Sequence, residues 1–318
     1  MRVAIIRLSA LGDIIHAAVI NEFLYKSGIK VDWIVEERFR EILDHNKYIN
    51  EIKTVNLKNK KRIFFEINRI RKWEKYDLVI DFQGLIKSAI LGKIVGKKVI
   101  GCDEYHTKEK PALLFYDKKL KIRNHTIGRY KDMINEVFDL KITNEDIKNH
   151  SPYLFYEKKD FIVEDFFSKN KKNIIFIIGS TATNRKYPIK KWIKLANSLN
   201  ANVLIPYGNE EEKEEALLIS ENSNAEVLPK MNLNELKACI SYADLLIGND
   251  TGPSYIAWAN KIPNILLYGA TPFGRVFENE YTKIIKSKTS KNLEVIDKND
   301  FSIRDISVRE ILDAVEKI

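Results

Sequence analysis

Val3-Ala4-Ile5-Ile6-Arg7-Leu8-Ser9-Ala10-Leu11-Gly12-Asp13 is a short apolar run that ends in a tight polar turn, and Ile14, Ile15, Ala18, Phe23 and Leu24 follow at helical spacing. The stretch reads as strand, turn and helix, and the same unit recurs along the chain. Val31 to Val35, Ile52 to Val55, Leu78 to Phe82 and Val99 to Ile100 read as further strands, and Glu37 to Leu43, Ile63 to Trp73, Leu85 to Val95 and His125 to Leu140 as helices. The polar segment Lys141 to Asp160, with Ser151-Pro152 in its middle, reads as a linker. The alternation then restarts. Strands are expected at Ile174 to Ile178, Val203 to Pro206, Val227 to Leu228, Asp244 to Ile247 and Ile265 to Tyr268. Helices are expected at Ile189 to Leu199, Glu210 to Ser220, Leu233 to Tyr242, Gly252 to Ala259 and Ile306 to Lys317. Strands separated by helical stretches imply right-handed βαβ units and parallel sheets. The fold class predicted is therefore α/β, with two Rossmann-like domains, 1–155 and 156–318, facing one another; the last helix is free to pack back on the first.

The chain has 318 residues, with a net charge of +9. Residues 1–150 hold 30 Lys and Arg against 21 Asp and Glu, and the remainder holds 23 of each, so the whole excess lies in the first half. That asymmetry predicts a polyanionic partner for the first domain, and nucleic acid, an anionic membrane and a phosphorylated molecule all fit it. The two cysteines, Cys102 and Cys239, are far apart and predict neither a disulfide framework nor a structural zinc site. No signal-peptide pattern and no transmembrane-length apolar run is apparent, so a cytoplasmic protein is expected, with a basic face able to rest on a membrane.

Open α/β sheets bind ligands at the carboxyl ends of their strands, and three such junctions stand out. At the first, Asp13 has two readings, a base for a substrate hydroxyl or a helix N-cap. The second is Gly248-Asn249-Asp250-Thr251-Gly252-Pro253-Ser254, whose amides and hydroxyls suit a diphosphate and whose Pro253 suits the first helical position. The third, Ser180-Thr181-Ala182-Thr183-Asn184-Arg185-Lys186-Tyr187-Pro188, offers three hydroxyls and two cations, and Arg185 or Lys186 is placed to neutralise a departing phosphate. The glycine signatures of dinucleotide oxidoreductases and P-loop NTPases are missing, as are metal-binding and serine-hydrolase motifs, so no metal and no cofactor is predicted.

Taken together, the opening Arg2-to-His16 stretch, Val31-Asp32-Trp33-Ile34-Val35-Glu36-Glu37, Tyr76-to-Ser88, Leu228-Pro229-Lys230-Met231 and Asn249-Asp250-Thr251-Gly252 resemble the lipopolysaccharide heptosyltransferases of glycosyltransferase family 9. The resemblance implies a GT-B architecture, an N-terminal acceptor domain and a C-terminal ADP-heptose domain about an interdomain cleft. It also implies heptose transfer with inversion onto a Kdo sugar of Kdo-lipid A, the addition of the first heptose rather than the second. Asp13 matches the catalytic base, and its helix N-terminus should favour the ionised form. Asp250, Thr251, Gly252, Ser180 and Thr181 match the donor site, Met231 the adenine contact, and an acid in Glu210-Glu211-Glu212, preferably Glu212, the ribose. Gln83 and Lys87 would face the acceptor, and the cations Lys60, Lys61 and Arg62 would meet its anionic groups. Two positions depart from the family pattern: Arg185-Lys186 precedes Tyr187-Pro188 where a Lys is usual two residues before Trp-Pro, and Tyr255 stands where relatives have His. The partners expected are ADP-heptose and Kdo-lipid A for a monomer on the cytoplasmic face of the inner membrane; binding of nucleic acid is the rival from another class.

Overall fold

The structure, a computed structural model, describes residues 1–57, 63–271, 275–290 and 297–318. It divides into two compact units, Met1–Tyr153 and Leu154–Ile318.

In the first unit, strands β1 (Val3–Ile6), β2 (Val31–Glu36), β3 (Glu51–Val55), β4 (Tyr76–Asp81), β5 (Gly96–Cys102) and β6 (Lys118–Leu120) form one parallel sheet in the order β3-β2-β1-β4-β5-β6. Between and after them run α1 (Leu11–Ala18), α2 (Ile20–Lys26), α3 (Arg40–Leu43), α4 (Ile63–Arg71), α5 (Ile86–Val95), α6 (Thr126–Phe138) and α7 (Asn144–Lys148). β1 and β2 are buried along their whole length, which explains their nearly continuous apolar reading. One face of the sheet is covered by α4, α5 and the 3-10 segment Lys110–Phe115, over a core that includes Ala4, Ile6, Ile34, Ile70, Val79, Leu91, Val95 and Ala112.

The second unit repeats the plan with β7 (Asn173–Ile177), β8 (Asn202–Ile205), β9 (Ala225–Val227), β10 (Leu245–Asn249), β11 (Asn264–Tyr268) and β12 (Thr282–Lys286), ordered β12-β11-β10-β7-β8-β9 and all parallel. Its helices are α8 (Ile189–Ser198), α9 (Glu210–Glu221), α10 (Leu233–Ser241), α11 (Ser254–Ala259) and α12 (Val308–Val315). α12 packs within its own unit, on α8, β11 and β12, because Val308, Ile311 and Ala314 bury on one side of it.

Each sheet has the doubly wound order in which the chain reverses direction beside its first strand. In the first unit that switch point lies between β1 and β4, and in the second between β7 and β10. The β1–α1 and β4–α5 loops therefore meet in one place, and so do the loops after β7 and β10. Two strands were not anticipated from sequence, β6 and β12, and both are sheet edges. β6 reads Lys118-Lys119-Leu120 with both lysines exposed, and charges at an unpaired edge mask the apolar signal of a strand.

Candidate functional site

At the switch point of the first unit, Asp13 is the third residue of α1, while Ala10 occupies the N-cap without a side-chain bond. The capping alternative for Asp13 is thus excluded. Its carboxylate is paired instead with Arg7, which is wholly buried; the Asp13 side chain keeps 29% of its surface exposed. Arg7 also donates through Nη1 to the Phe82 carbonyl at 2.6 Å and lies over the Tyr130 ring. A second cation, Arg129 on α6, feels the Asp13 charge. Burial disfavours its guanidinium, but Tyr130, Cys102 and Asp13 outweigh that and raise its pKa. Neither arginine figured among the sequence candidates. An arginine inside the apolar run Val3–Leu8 was the available signal, since a buried strand does not keep a charge without a partner.

Gln83 is 4% exposed, and its Oε1 accepts the amides of Leu8 at 3.0 Å and Ser9 at 3.1 Å. It braces the loop that carries Asp13, so the expectation that it faces the acceptor is replaced by a supporting role. Asp81, at the end of β4, holds the same loop from behind: it accepts the amides of Gln83 and Gly84 and the hydroxyls of Ser88 and Tyr116. Burial drives its pKa up against those four donors. Gly84 has φ +69°, and a Cβ there would meet Thr107 Cα at 3.3 Å, so this turn needs glycine. Lys87, 35% exposed, sits 3.1 Å from the buried carboxylate of Glu36 at the end of β2. Lys60, Lys61 and Arg62 lie outside the described residues.

In the second unit the loops after β7 and β10 are locked together. Asn249 donates to the Ile178 carbonyl at 2.6 Å and accepts the Tyr187 amide at 3.1 Å. A Cβ at Gly248 would lie 2.3 Å from Ser254 Oγ and displace the hydroxyl from the Asn249 carbonyl, which it bonds at 2.7 Å. Asp250 is 1% exposed; its oxygens accept from Arg185 Nη1 at 3.0 Å and from the hydroxyls of Thr271 and Tyr255. Burial would raise its pKa, yet Arg275, Arg185, Thr271 and Tyr255 together hold it below the usual carboxylate value. A buried carboxylate so occupied organises the loop rather than greeting the donor. Arg185 reaches Thr181 Oγ1 through Nη2 at 3.4 Å, so the cation, the hydroxyl loop and the Asp-Thr-Gly turn form one cluster. Thr251 and Gly252 are partly exposed beside it, and Pro253 caps α11 instead of opening it.

Lys186 turns away from this cluster. Its ammonium binds Glu211 at 2.6 Å and Glu215 at 3.0 Å on α9, and although burial disfavours the charge, the two carboxylates raise its pKa. The geometry therefore separates the two cations that the sequence left equivalent. It also separates the three glutamates. Glu211 is spent on Lys186 and Glu210 approaches Lys213, whereas Glu212 accepts the Gly208 amide at 2.8 Å and lies over Gly179, where a Cβ would be 2.3 Å from its Oε1. Ser180 is nearly buried, its hydroxyl accepting the Ala182 amide at 3.4 Å, and Met231 is half-buried just before the N-cap of α10. Among the described residues, no cluster of His, Cys, Asp and Glu is placed to hold a metal ion.

Tyr255 hydrogen-bonds Asp250 and lies 3.2 Å from the Tyr268 hydroxyl, all three fully buried. Tyr255→Phe is expected to remove about 1.5–3 kcal/mol at neutral pH, the worth of a bond to a charged group. The sign of its pH dependence follows from Asp250. A carboxylate with a depressed folded pKa stabilises above its unfolded value, 3.8, and loses that contribution as pH falls through the folded one. Removing the phenol raises the folded value towards the unfolded one, so in acid titrations followed by Tm the variant should lose less stability below pH 3.8 than the wild type, and its loss should end at a higher pH. Parallel acid limbs would show that Tyr255 does not hold the charge.

Residues 67–299 match the model for glycosyltransferase family 9 (heptosyltransferase). Lipopolysaccharide heptosyltransferase 1 of Campylobacter coli is 35% identical over 100% of this chain and 99% of its own length. The Escherichia coli K12 protein of the same name is 29% identical over 87% of this chain and 90% of its own. Among solved structures, the E. coli heptosyltransferase WaaC with ADP-2-deoxy-2-fluoro heptose superposes with a TM-score of 0.77 at 24% identity, covering 100% of this chain and 99% of that one. E. coli ADP-heptose lps heptosyltransferase II gives 0.77 at 17% identity over 100% and 98%. The architecture is accordingly that of the GT-B heptosyltransferases, and the chain belongs to glycosyltransferase family 9, the heptosyltransferases.

Proposed function

We propose that this glycosyltransferase moves heptose from ADP-L-glycero-D-manno-heptose, with inversion, to a Kdo residue of Kdo-lipid A in assembly of the lipopolysaccharide inner core. The observation that carries the reading is the 35% identity over full length to a lipopolysaccharide heptosyltransferase 1. A lipooligosaccharide heptosyltransferase 2 of Campylobacter jejuni is 24% identical over only 65% of the chain. That contrast favours addition of the first heptose.

In this reading the first unit binds the acceptor and the second binds the donor. Asp13 accepts the proton of the attacking Kdo hydroxyl, and Arg7 keeps its carboxylate oriented. Arg185, aimed by Asp250, neutralises the charge that develops on the ADP diphosphate as the glycosidic bond breaks. Thr251, Gly252, Ser180 and Thr181 donate to the phosphates, Glu212 takes the ribose hydroxyls and Met231 lies on the adenine, where a polarisable thioether suits a flat ring. Lys87 and the cations Lys60, Lys61 and Arg62 meet the carboxylate and phosphates of the acceptor. The chemistry requires no metal and no cofactor. The enzyme works as a monomer on the cytoplasmic face of the inner membrane and has no nucleic-acid partner.

Incubation with ADP-heptose and, in parallel, Kdo-lipid A and an already heptosylated acceptor tests the reading. ADP release and a heptosylated product are expected with the first acceptor only. Transfer to the second alone would assign addition of the second heptose, and salt-sensitive nucleic-acid binding without ADP release would overturn the enzyme reading altogether. Converting Lys60, Lys61 and Arg62 to Gln should raise the KM for Kdo-lipid A about 100-fold, at roughly 1 kcal/mol per cation, with ADP-heptose affinity unchanged. An unchanged KM would remove these residues from the acceptor site.

A further inference from the structure

The first turn of α4 exposes two adjacent aromatic side chains, Phe64 at 82% and Phe65 at 72% of their full surface. The helix is otherwise well seated. Glu66 and Ile70 turn inward, and Glu66 is held by Arg69 at 2.6 Å, so the helix has a seated face opposite the one that exposes the two rings. Further along the same outer face come Asn68 and then Arg71 and Lys72, all exposed. α4 packs on α5, and α5 on the segment Lys110–Phe115; the same layer also exposes Ile90 at 39% and Leu114 at 85%. Neighbouring apolar groups left in water on a layer rimmed by cations mark an interaction surface.

We propose that this α4 face docks on an anionic phospholipid bilayer, with Phe64 and Phe65 in the headgroup and acyl boundary and Arg71 and Lys72 on the lipid phosphates. Charge complementarity selects this occupant. From Ile63 to Trp73 the one carboxylate, Glu66, is turned inward and neutralised, so the outer face presents aromatic rings and positive charge, the pairing that interfacial helices use. A second copy of the chain would bring two cationic faces together, which works against self-association through this surface. The proposal deepens the reading of a lipid-borne acceptor by naming the element that meets the lipid surface. It rests on that reading only for the location of the acceptor, because vesicle binding needs neither substrate.

The test is cosedimentation of the full chain with vesicles of phosphatidylethanolamine, with and without phosphatidylglycerol, over a range of salt. The wild type should pellet with the anionic vesicles, less so as salt rises. F64S/F65S should partition about tenfold more weakly or worse, and R71Q/K72Q should weaken binding by a similar factor and flatten the salt dependence. Transfer to a water-soluble Kdo acceptor should be unaltered in both variants, which separates failure at this surface from failure of the transferase reading. Should F64S/F65S lose its fold, a Phe65→Trp variant decides the matter: the fluorescence it adds to the wild type should be quenched by brominated acyl chains. Undiminished vesicle binding by F64S/F65S, equal binding to neutral and anionic vesicles, or no quenching of the added tryptophan would each overturn the proposal. So would a concentration-dependent dimer that F64S/F65S abolishes, which would assign the face to a second copy.

Discussion

Asp13→Asn is expected to lower kcat by about 100- to 10,000-fold, the range that a positioned general base contributes, or roughly 3–5 kcal/mol of transition-state stabilisation. The amide keeps the size of the carboxylate and still offers an oxygen to Arg7, which remains anchored by the Phe82 carbonyl. ADP-heptose affinity should therefore change little, whereas Tm should fall, because the wholly buried Arg7 loses its counter-charge. A large fall in kcat at constant donor affinity would separate base catalysis from a packing role, because Asp13 does not hold the N-cap of α1 and keeps 29% of its side chain in solvent. Near-wild-type turnover would reduce the Arg7–Asp13 pair to a structural ion pair. The single-turnover rate with Kdo-lipid A is the decisive measurement, since it isolates chemistry from product release.

Arg185→Ala should cost about 100- to 1,000-fold in kcat, the scale found when one preorganised donor to developing charge is removed, and should weaken ADP-heptose binding as well. It also strands Asp250, 1% exposed, with hydroxyl donors and the field of Arg275 alone, so about 3 kcal/mol of stability should go with it. Arg185→Lys restores the charge and should recover part of the rate. Lys186→Ala makes the contrast. Its ammonium serves Glu211 and Glu215, and removing it should change kcat less than about threefold and stability by about 1 kcal/mol. Equal rate losses in the two alanine variants would show that both cations serve the diphosphate, and a rate loss confined to Lys186→Ala would reverse the assignment.

The alternation of strand and helix was legible in the amino-acid pattern. Buried parallel strands are continuous apolar runs, and the residues that end them are glycines, hydroxyls and acids that a core strand rejects. Asp13 and Asp250 stood out for that reason, Arg185 as a cation in the loop after β7, and Glu212 through the family resemblance. Their partners did not, because each partner is remote in sequence: Asp13 is approached by Arg129 from α6, and Asp250 by Thr271 from beyond β11. The edge strands β6 and β12 escaped notice because lysines, exposed at Lys118, Lys119 and Lys283, interrupt their short apolar pattern.

Residue type and spacing were thus enough for the fold class and its two Rossmann-like halves, and the resemblance of a few stretches to known sequences was enough for the family. They could not rank chemically equivalent neighbours. Arg185 and Lys186 differ by one position and carry the same charge, as do Glu210, Glu211 and Glu212, and a linear pattern holds no information about which way adjacent side chains turn. Tertiary structure decided both cases through the strand order. By placing the β7 and β10 loops side by side at the switch point, it pointed Arg185 at Asp250, left Lys186 to the carboxylates of α9, and laid Glu212 over Gly179. It likewise turned Gln83 from an expected acceptor contact into the brace of the Asp13 loop, because β1 and β4 pair directly and the side chain at the end of one reaches the backbone of the other.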